Sequence, residues 1–209
     1  MFPALYAILD LSLVTEPIKF ADALGNAGVQ LIQLRDKCGT ARRIHQDAKE
    51  LRALSSLQSA RLIVNDRPDI AILAGAAGVH VGQEDLPVEE VRKIVGAECW
   101  VGVSTHNMEQ LREANSTSAD YIAVGPIFAT ASKSNPDPVL GIKFLSAARE
   151  LTRKPLVAIG GITIESAADA FRAGADSVAV IRDLVRAADP AVRAREYLNI
   201  ARSILPGRT

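Results

Sequence analysis

The stretch Thr117-Ser-Ala-Asp-Tyr-Ile-Ala-Val-Gly125 decides the fold. A segment with helical spacing ends there in small residues, and a short apolar run follows directly. Three other stretches have the same arrangement, namely NAGVQLIQL (26–34), GAAGVHVG (75–82) and RAGADSVAV (172–180). Self-similarity of this kind indicates that the chain repeats one supersecondary unit, in which a helix leads through a small residue into a strand.

Eight apolar runs occur along the chain, each followed by a polar tip and a segment with helical spacing. They are LYAIL (5–9), VQLIQL (29–34), RLIVN (61–65), GVHVG (78–82), WVGVS (100–104), YIAVG (121–125), LVAIG (156–160) and SVAVI (177–181). Apolar strands that alternate with helices predict a parallel sheet with a covered outer face, and eight units predict an α/β fold, a (β/α)8 TIM barrel. The alternative is an open doubly wound sheet, which would more often have fewer strands and a glycine-rich first turn; LYAILDLSLVTE contains no glycine.

The composition bounds the class of protein. Of the 209 residues 48% are hydrophobic, which suits one sizeable core, and we expect residues 1–209 to form a single domain. The 24 basic and 24 acidic residues form no long block of one sign, which argues against a nucleic-acid or membrane surface. No apolar run approaches the roughly 18 residues of a membrane span. Cys38 and Cys99 show no metal-type spacing, so we expect a cytoplasmic protein without a disulfide framework.

The polar tips of the strands are the candidate functional residues, because the chemistry of such barrels lies at the carboxyl ends of the strands. Asp66 and Asp85 follow the neighbouring third and fourth strands, and two carboxylates from adjacent strands suit Mg²⁺ that also keeps waters and a substrate phosphate. Arg35, Lys37 and Lys133 add positive charge without an opposing acidic block, as a polyanionic ligand requires.

Two glycine-containing segments indicate further phosphate contacts. The seventh strand ends in AIGGIT (158–163), where bare backbone N–H groups and a helix amino terminus can cradle a phosphate. The segment VGPIFATASKSNPDPVLG (124–141) combines a Gly-Pro turn, hydroxyls and a lysine, and this pattern predicts a loop that closes over phosphates.

Simpler interpretations exist for several of these residues when each is taken alone. Asn65 and Asp66 could cap a helix, a Gly-Gly pair is most often a turn, and Ser104 could cap the helix that follows it. Ser104 has no base next to it in the sequence, which argues against a serine nucleophile. His80, within a strand, is expected to be packed or hydrogen-bonded rather than a ligand, and the role of His106 stays open.

The order of the motifs resembles the thiamine-phosphate synthase family. The resemblance rests on LYAILD, LIQLRDK, LIVNDRPDIA, GVHVGQEDLP, VGVSTHN, ADYIAVGPIFATASK, VAIGGIT and AGADSVAVI, which cover nearly the whole chain in register. It implies a TIM barrel in which a hydroxymethylpyrimidine diphosphate loses pyrophosphate by a dissociative step. A thiazole phosphate nitrogen then takes the methylene carbon, with Mg²⁺ as cofactor.

The resemblance also implies roles for individual residues. The pyrimidine diphosphate would be held by Gln33, Arg35, Lys37, Asn65, Ser104 and Lys133, of which Arg35, Ser104 and Lys133 would act in catalysis. Asp66 and Asp85 would bind Mg²⁺. The thiazole phosphate would be held by Thr130, Ser132, Gly161 and the backbone at Ile181 and Arg182.

Two positions depart from the family pattern, and two alternative functions stay open. Ser132 stands where threonine is usual, and Ile181-Arg182 stands where a serine commonly ends the pair, which leaves the Arg182 side chain without a family role. Asp183 and Asp189, close in sequence, could turn that arginine outward.

A thiazole tautomerase-like protein and a non-catalytic phosphate-sensing barrel are the alternatives, although Asp85 and Lys133 favour the synthase. The partners implied are small molecules, and the sequence leaves open whether the chain forms a homo-oligomer.

Overall fold

The structure, a computed structural model, describes residues 1–130 and 137–205. Its eight strands are β1 (Leu5–Asp10), β2 (Leu31–Arg35), β3 (Arg61–Asn65), β4 (Gly78–Val81), β5 (Trp100–Thr105), β6 (Tyr121–Val124), β7 (Leu156–Ile159) and β8 (Ser177–Val180). All neighbouring strands are parallel, and β8 pairs with β1 to close the ring. The closed barrel confirms the predicted TIM fold and excludes the open doubly wound sheet.

The helices of the described residues alternate with the strands and cover the barrel. They are α1 (Pro17–Asn26), α2 (Ala41–Ala53), α3 (Pro68–Leu73), α4 (Val88–Val95), α5 (Met108–Ser116), α6 (Gly141–Leu151), α7 (Ile164–Arg172), α8 (Arg182–Val185) and α9 (Pro190–Ile204). A proline opens α1, α3 and α9, where a missing N–H costs no hydrogen bond. Within the residues described, none of these helices is both long and apolar enough to cross a membrane.

The barrel interior is filled by large side chains at its amino-terminal end and becomes polar toward the carboxyl ends. Tyr6, Ile63 and Tyr121 are fully buried there, and the Phe2 ring stacks on Trp100 with centroids 5.3 Å apart. Gly102 on β5 makes room for Tyr121, because a Cβ at Gly102 would lie 2.0 Å from the Cζ atom of that ring. This filling closes the amino-terminal end of the barrel and leaves the opposite end for a site.

Two equivalent aspartates tie the strands together at the amino-terminal face. Asp120, before β6, accepts a 2.7 Å hydrogen bond from the Val101 backbone N–H and a 2.5 Å bond from Arg92 of α4. Asp176, before β8, accepts a 2.9 Å bond from the Leu156 N–H and a 2.7 Å bond from Arg149 of α6. Both aspartates belong to the Ala-Asp step of the repeated stretches in the sequence, so the repeat has a structural equivalent.

Candidate functional site

A wide cavity of about 1590 Å³ opens at the carboxyl ends of the strands. It brings together every predicted site residue that the structure describes. Those residues are Gln33, Arg35, Lys37, Asn65, Asp66, Asp85, Ser104, Thr130, Gly161, Ile181 and Arg182. Ser132 and Lys133, which were also predicted to bind substrate, lie outside the described residues.

Arg35 at the end of β2 is held by an aspartate of the neighbouring strand. Its guanidinium forms an ion pair with Asp10, the last residue of β1, and the Asp10 side chain is almost fully buried. The other Asp10 oxygen accepts from the Ser12 hydroxyl at 2.6 Å and from the Ser12 N–H at 3.0 Å. A charged group fixed through hydrogen bonds in this way presents its remaining donors in one orientation.

Lys37 also has a carboxylate partner. Its amino group contacts Asp66 Oδ2, which accepts a second hydrogen bond from the Asn65 amide at 2.7 Å. The sequence shows no acidic block opposite Arg35 and Lys37, yet the structure gives each of them one carboxylate partner. Their partners come from other strands and lie 25 and 29 residues away in the chain, so no acidic block appears in the sequence.

Asp66 adopts a backbone conformation that few residue types accept. Its φ angle is +60°, in the left-handed region, where aspartate is better tolerated than most side chains. The Asp66 N–H donates to the His80 carbonyl at 2.8 Å, which continues the β3 to β4 pairing beyond the strand. The turn places the carboxyl group at the cavity rather than on the outer surface.

Asp66 and Asp85 follow the neighbouring strands β3 and β4, and both line the cavity. Burial raises the pKa of the Asp66 carboxyl; the Lys37 ammonium lowers this pKa and the Asp85 carboxyl raises it. Asp85 is oriented by the Gly82 N–H, which donates to its Oδ2 at 2.7 Å. Among residues 1–130 and 137–205 no group of three or more His, Cys, Asp and Glu side chains could hold a metal. The pair thus offers oxygen ligands from two residues.

Ser104 has a histidine beside it that the sequence does not reveal. The His80 Nε2 atom of β4 lies 2.9 Å from Ser104 Oγ on β5, and His80 Nδ1 lies 3.0 Å from the Tyr121 hydroxyl. His80 is buried, as expected for a packed strand histidine, and burial lowers its pKa to about 4. The Gln83 amide donates to the Ser104 carbonyl at 2.6 Å. Because a hydroxyl rather than a carboxylate contacts His80 Nδ1, the pair lacks the third member of a nucleophilic triad.

His106 fixes the start of the loop that follows β6. Its Nδ1 donates to the Gly125 carbonyl at 2.6 Å, and its backbone N–H donates to the Gln110 side chain at 2.7 Å. The role of His106, which the sequence left open, includes this anchoring. The far end of the loop is held by the Leu140 N–H, which donates to the Pro126 carbonyl at 2.8 Å.

The two glycines after β7 are required by their backbone and by the β6 loop. Gly160 and Gly161 have φ angles of +91° and +66°. A Cβ at Gly161 would lie 2.4 Å from the Ala129 carbonyl oxygen, and one at Gly160 would lie 2.5 Å from Pro126 Cβ. The pair therefore lets the loops after β6 and β7 touch, whether or not it also cradles a phosphate.

The end of β8 carries positive charge beside the cavity. Arg182 lines the cavity, and so does Arg186, which the sequence analysis did not single out. Asp183 accepts hydrogen bonds from Arg193 at 3.0 Å and from Tyr197 at 2.7 Å. Asp189 caps α9 by accepting from two backbone N–H groups. Both aspartates thus have partners on α9, and their proposed effect on the Arg182 side chain stays a prediction.

The comparisons with known proteins agree with one another. The family model described as Thiamine monophosphate synthase matches residues 5–184. A thiamine-phosphate synthase of Koribacter versatilis (strain Ellin345) is 53% identical over 208 residues, which cover 96% of this chain and 97% of that protein. A thiamine-phosphate synthase of Chloroflexus aurantiacus is 43% identical over 169 residues, with 81% of this chain and 78% of that protein covered. Thiamine phosphate pyrophosphorylase from Pyrococcus furiosus superposes with a TM-score of 0.88 at 32% identity, over 97% of this chain and 96% of that chain.

Proposed function

The chain belongs to the thiamine monophosphate synthase family, and we infer from this membership that it is a transferase that makes thiamine phosphate. It joins a pyrimidine diphosphate to a thiazole phosphate and releases pyrophosphate. The observation that carries this conclusion is the 53% identity to a thiamine-phosphate synthase over nearly the full length of both chains. The tautomerase and sensor alternatives have no counterpart among the relatives described above, which are all named for the synthase reaction.

The pyrimidine diphosphate is proposed to bind on the side of the cavity formed by β2, β3 and β5. The buried Asp10 supports this role of Arg35, because it fixes the guanidinium beside the cavity. Lys37 lies next to it and can exchange its carboxylate partner for a phosphate oxygen. Gln33 and Ser104 border the deeper part of the cavity and offer hydrogen bonds to the ring, whereas Asn65 is held near Asp66.

The carboxylates of Asp66 and Asp85 fit a magnesium ion. The Asp85 carboxyl raises the pKa of Asp66, and a divalent cation bound by both would relieve this repulsion. Two carboxylates are a common number for Mg²⁺, which keeps several waters and takes substrate phosphate oxygens as further ligands. Bound there, the ion would neutralise charge on the diphosphate. Lys37 and Asn65 both contact the same oxygen of Asp66, Oδ2.

The thiazole phosphate is proposed to bind across the ends of β6, β7 and β8. Thr130, Gly161, Ile181 and Arg182 border the cavity there, and the positive φ angle of Gly161 turns its backbone in a way few other residues allow. Ser132 is assigned to this region, and Lys133 to the pyrimidine diphosphate, by the family resemblance, since both lie outside the described residues. Arg186, on the same rim, adds positive charge for an anionic ligand.

The proposed reaction needs positioned charge rather than a protein nucleophile. The bond between the methylene carbon and the diphosphate oxygen breaks, and its electron pair leaves with pyrophosphate. The pyrimidine amino group feeds electrons toward the carbon, which then bonds to the thiazole nitrogen. Arg35, Lys37 and Lys133 accelerate this step to the extent that they hold the departing diphosphate more tightly as its charge grows.

A direct assay tests the proposed function. The purified protein is mixed with 4-amino-2-methyl-5-(diphosphooxymethyl)pyrimidine, thiazole phosphate and Mg²⁺, and thiamine phosphate and pyrophosphate are measured together. We expect both products in equal amounts, because each turnover releases one of each. Pyrophosphate without thiamine phosphate would indicate a hydrolase, and the absence of both products would contradict the synthase assignment.

The compartment and the organisation of the chain are further proposals. We propose a cytoplasmic location, which is supported by the two cysteines, since both Cys38 and Cys99 are free thiols and a reducing compartment preserves such thiols. We also propose that the barrel acts as one domain, because the proposed site draws residues from strands around the whole ring.

A further inference from the structure

A continuous chain of hydrogen bonds crosses the barrel interior below the cavity. The Gln33 amide donates to the Tyr6 hydroxyl at 2.7 Å, and the Tyr6 and Tyr121 hydroxyls lie 2.9 Å apart. The Tyr121 hydroxyl lies 3.0 Å from His80 Nδ1, and His80 Nε2 lies 2.9 Å from Ser104 Oγ. The first four of these side chains are each at most 6% exposed. This chain of hydrogen bonds joins five different strands, β2, β1, β6, β4 and β5.

Proton counting gives this chain a direction. The Gln33 NH₂ group can only donate, so the single hydroxyl proton of Tyr6 must point to Tyr121. The single proton of Tyr121 then points to His80 Nδ1, which accepts it. A neutral imidazole that accepts at Nδ1 carries its proton on Nε2, and that proton points to Ser104 Oγ. The hydroxyl proton of Ser104 is thereby left to point elsewhere.

The two ends of the chain therefore differ in polarity. At one end Gln33 keeps its carbonyl oxygen as an acceptor beside its second amide N–H, and at the other end Ser104 keeps its hydroxyl proton as a donor. Both residues border the cavity. We propose that Tyr6, Tyr121 and His80 are positioning residues that order the protons of this chain, so that the cavity presents an acceptor at Gln33 and a donor at Ser104.

This ordering selects the chemistry of the ring that binds, an inference that rests on the proposed function. An aminopyrimidine carries N–H donors on its amino group and acceptors on its ring nitrogens, and it can satisfy both ends of the chain. The corresponding oxopyrimidine has an acceptor in place of the amino group and a donor on the adjacent ring nitrogen. It would place acceptor against acceptor at Gln33, which leaves a buried polar group unpaired.

The chain is well suited to hold one proton order. Burial raises the pKa of Tyr6 and of Tyr121, so neither hydroxyl loses its proton near neutral pH. Reversal would require the Gln33 amide to rotate, both hydroxyls to turn and the His80 proton to move from Nε2 to Nδ1 together. A hydrogen-bond chain in which every member must change at once behaves as a unit.

The position of the His80 proton tests the ordering without any activity measurement. Nitrogen-15 NMR of the histidine-labelled protein shows which ring nitrogen carries the proton. We expect Nε2 in the wild type and a mixture of the two tautomers in Tyr121→Phe, which keeps the ring but lacks the hydroxyl. Tyr197→Phe removes another buried tyrosine hydroxyl, one that donates to Asp183, and must leave the His80 signals unchanged. A wild-type proton on Nδ1, or no change in Tyr121→Phe, would overturn the proposal.

The selection of the ring is tested by equilibrium binding. Calorimetry compares the aminopyrimidine diphosphate with its 4-oxo analogue in the presence of Mg²⁺ and without thiazole phosphate. We expect the wild type to prefer the amino compound by about 10-fold to 100-fold, and Tyr121→Phe to lose most of this preference. If the wild type and Tyr121→Phe preferred the amino compound over the 4-oxo analogue by the same factor, the proposed selection would be contradicted. If the aminopyrimidine diphosphate did not bind, the proposed function would be contradicted as well, whereas the His80 proton position would still decide the ordering.

Discussion

At the scale of single residues, Gly102 decides whether Tyr121 can occupy the barrel interior. A Cβ at this position would lie 2.0 Å from the Tyr121 Cζ and 2.4 Å from its hydroxyl oxygen. We expect Gly102→Ala to lower the free energy of unfolding by about 1–3 kcal/mol, because the buried ring has to move in a packed core. Urea unfolding followed by circular dichroism measures this change.

A second substitution separates this clash from a general effect of alanine in β5. In a Tyr121→Leu background the ring that meets the new Cβ is gone, so Gly102→Ala should cost clearly less there than in the wild type. The two substitutions are then non-additive, as expected for residues in contact. Equal costs in both backgrounds would show that the glycine is needed for some other reason.

His80 makes the stability of the protein depend on pH. Its pKa falls from 6.5 to about 4 on folding because burial disfavours the charged ring. Between these values the unfolded chain binds more protons, so the contribution is fully present above pH 6.5 and is lost as the pH falls toward 4. We expect the unfolding free energy of the wild type to drop about 3 kcal/mol more across this range than that of His80→Gln.

The partly exposed His45 on α2 provides the matched control for this measurement. His45→Gln should keep the pH dependence of the wild type, since no buried ring is removed. If His80→Gln and the wild type lost equal stability between pH 7 and pH 4, other groups would control the acid sensitivity.

Asp66 and Asp85 test the proposed metal site. We expect Asp66→Asn and Asp85→Asn each to remove most of the turnover, because each variant loses one of two carboxylate ligands. Both should unfold at nearly the wild-type urea concentration, since the two side chains lie at the cavity rim. Steady-state rates over a range of Mg²⁺ concentrations provide the measurement.

Glu84→Gln is the control, because it removes an exposed carboxylate from the same loop, next to Asp85. It should retain most of the turnover. Full activity of both aspartate variants in the presence of a chelator would contradict a magnesium site.

At the scale of elements, the aspartates before β6 and β8 predict a matched pair of effects. Asp120→Ala and Asp176→Ala each leave a strand N–H and an arginine without their carboxylate. We expect each variant to lose about 1–3 kcal/mol of unfolding free energy with kcat unchanged, because both lie at the face opposite the cavity. Asp169→Ala, which breaks an exposed ion pair on α7, should cost less than about 0.5 kcal/mol. A lowered kcat in either variant would show that the two faces are coupled.

The sequence predicted the strands well and the partners of the site residues poorly. A parallel strand in a barrel is buried on both faces, so β3 and β7 appear as continuous apolar runs with a polar tip at the end. The polar residues at the strand ends could therefore be predicted one at a time from the sequence. The contacts of Arg35 with Asp10 and of His80 with Ser104 join side chains 25 and 24 residues apart, and only the register of the closed sheet brings them together.

At the scale of the whole molecule, α9 covers the seam where β8 meets β1. It packs against α1, α7, α8 and β1, and it buries Ala194, Tyr197 and Ala201. The family match ends at residue 184, before this helix. We expect a chain that ends at residue 189 to lose its cooperative thermal unfolding transition, because removal of α9 exposes the apolar surface beneath it. Differential scanning calorimetry measures the transition.

Two substitutions within α9 check that packing, rather than chain length, is responsible. Ala194→Asp places a charge on the buried face and should lower the Tm strongly, whereas Arg195→Asp on the exposed neighbouring position should change it little. Similar Tm values for the two variants would mean that α9 contributes little to the stability of the barrel.

The ion pairs of Arg35 and Lys37 mean that an anion binding at the carboxyl end of the barrel meets cations that already have carboxylate partners. Each cation already has a carboxylate from the chain itself, so a diphosphate bound there as proposed would replace Asp66 at Lys37 and use the remaining donors of Arg35. The Asp66 carboxylate would return to Lys37 when pyrophosphate departs, which would lower the free-energy cost of releasing this product. A cation that is already paired binds any single phosphate less tightly than an unpaired one, so this arrangement would also weaken the binding of competing anions at the rim.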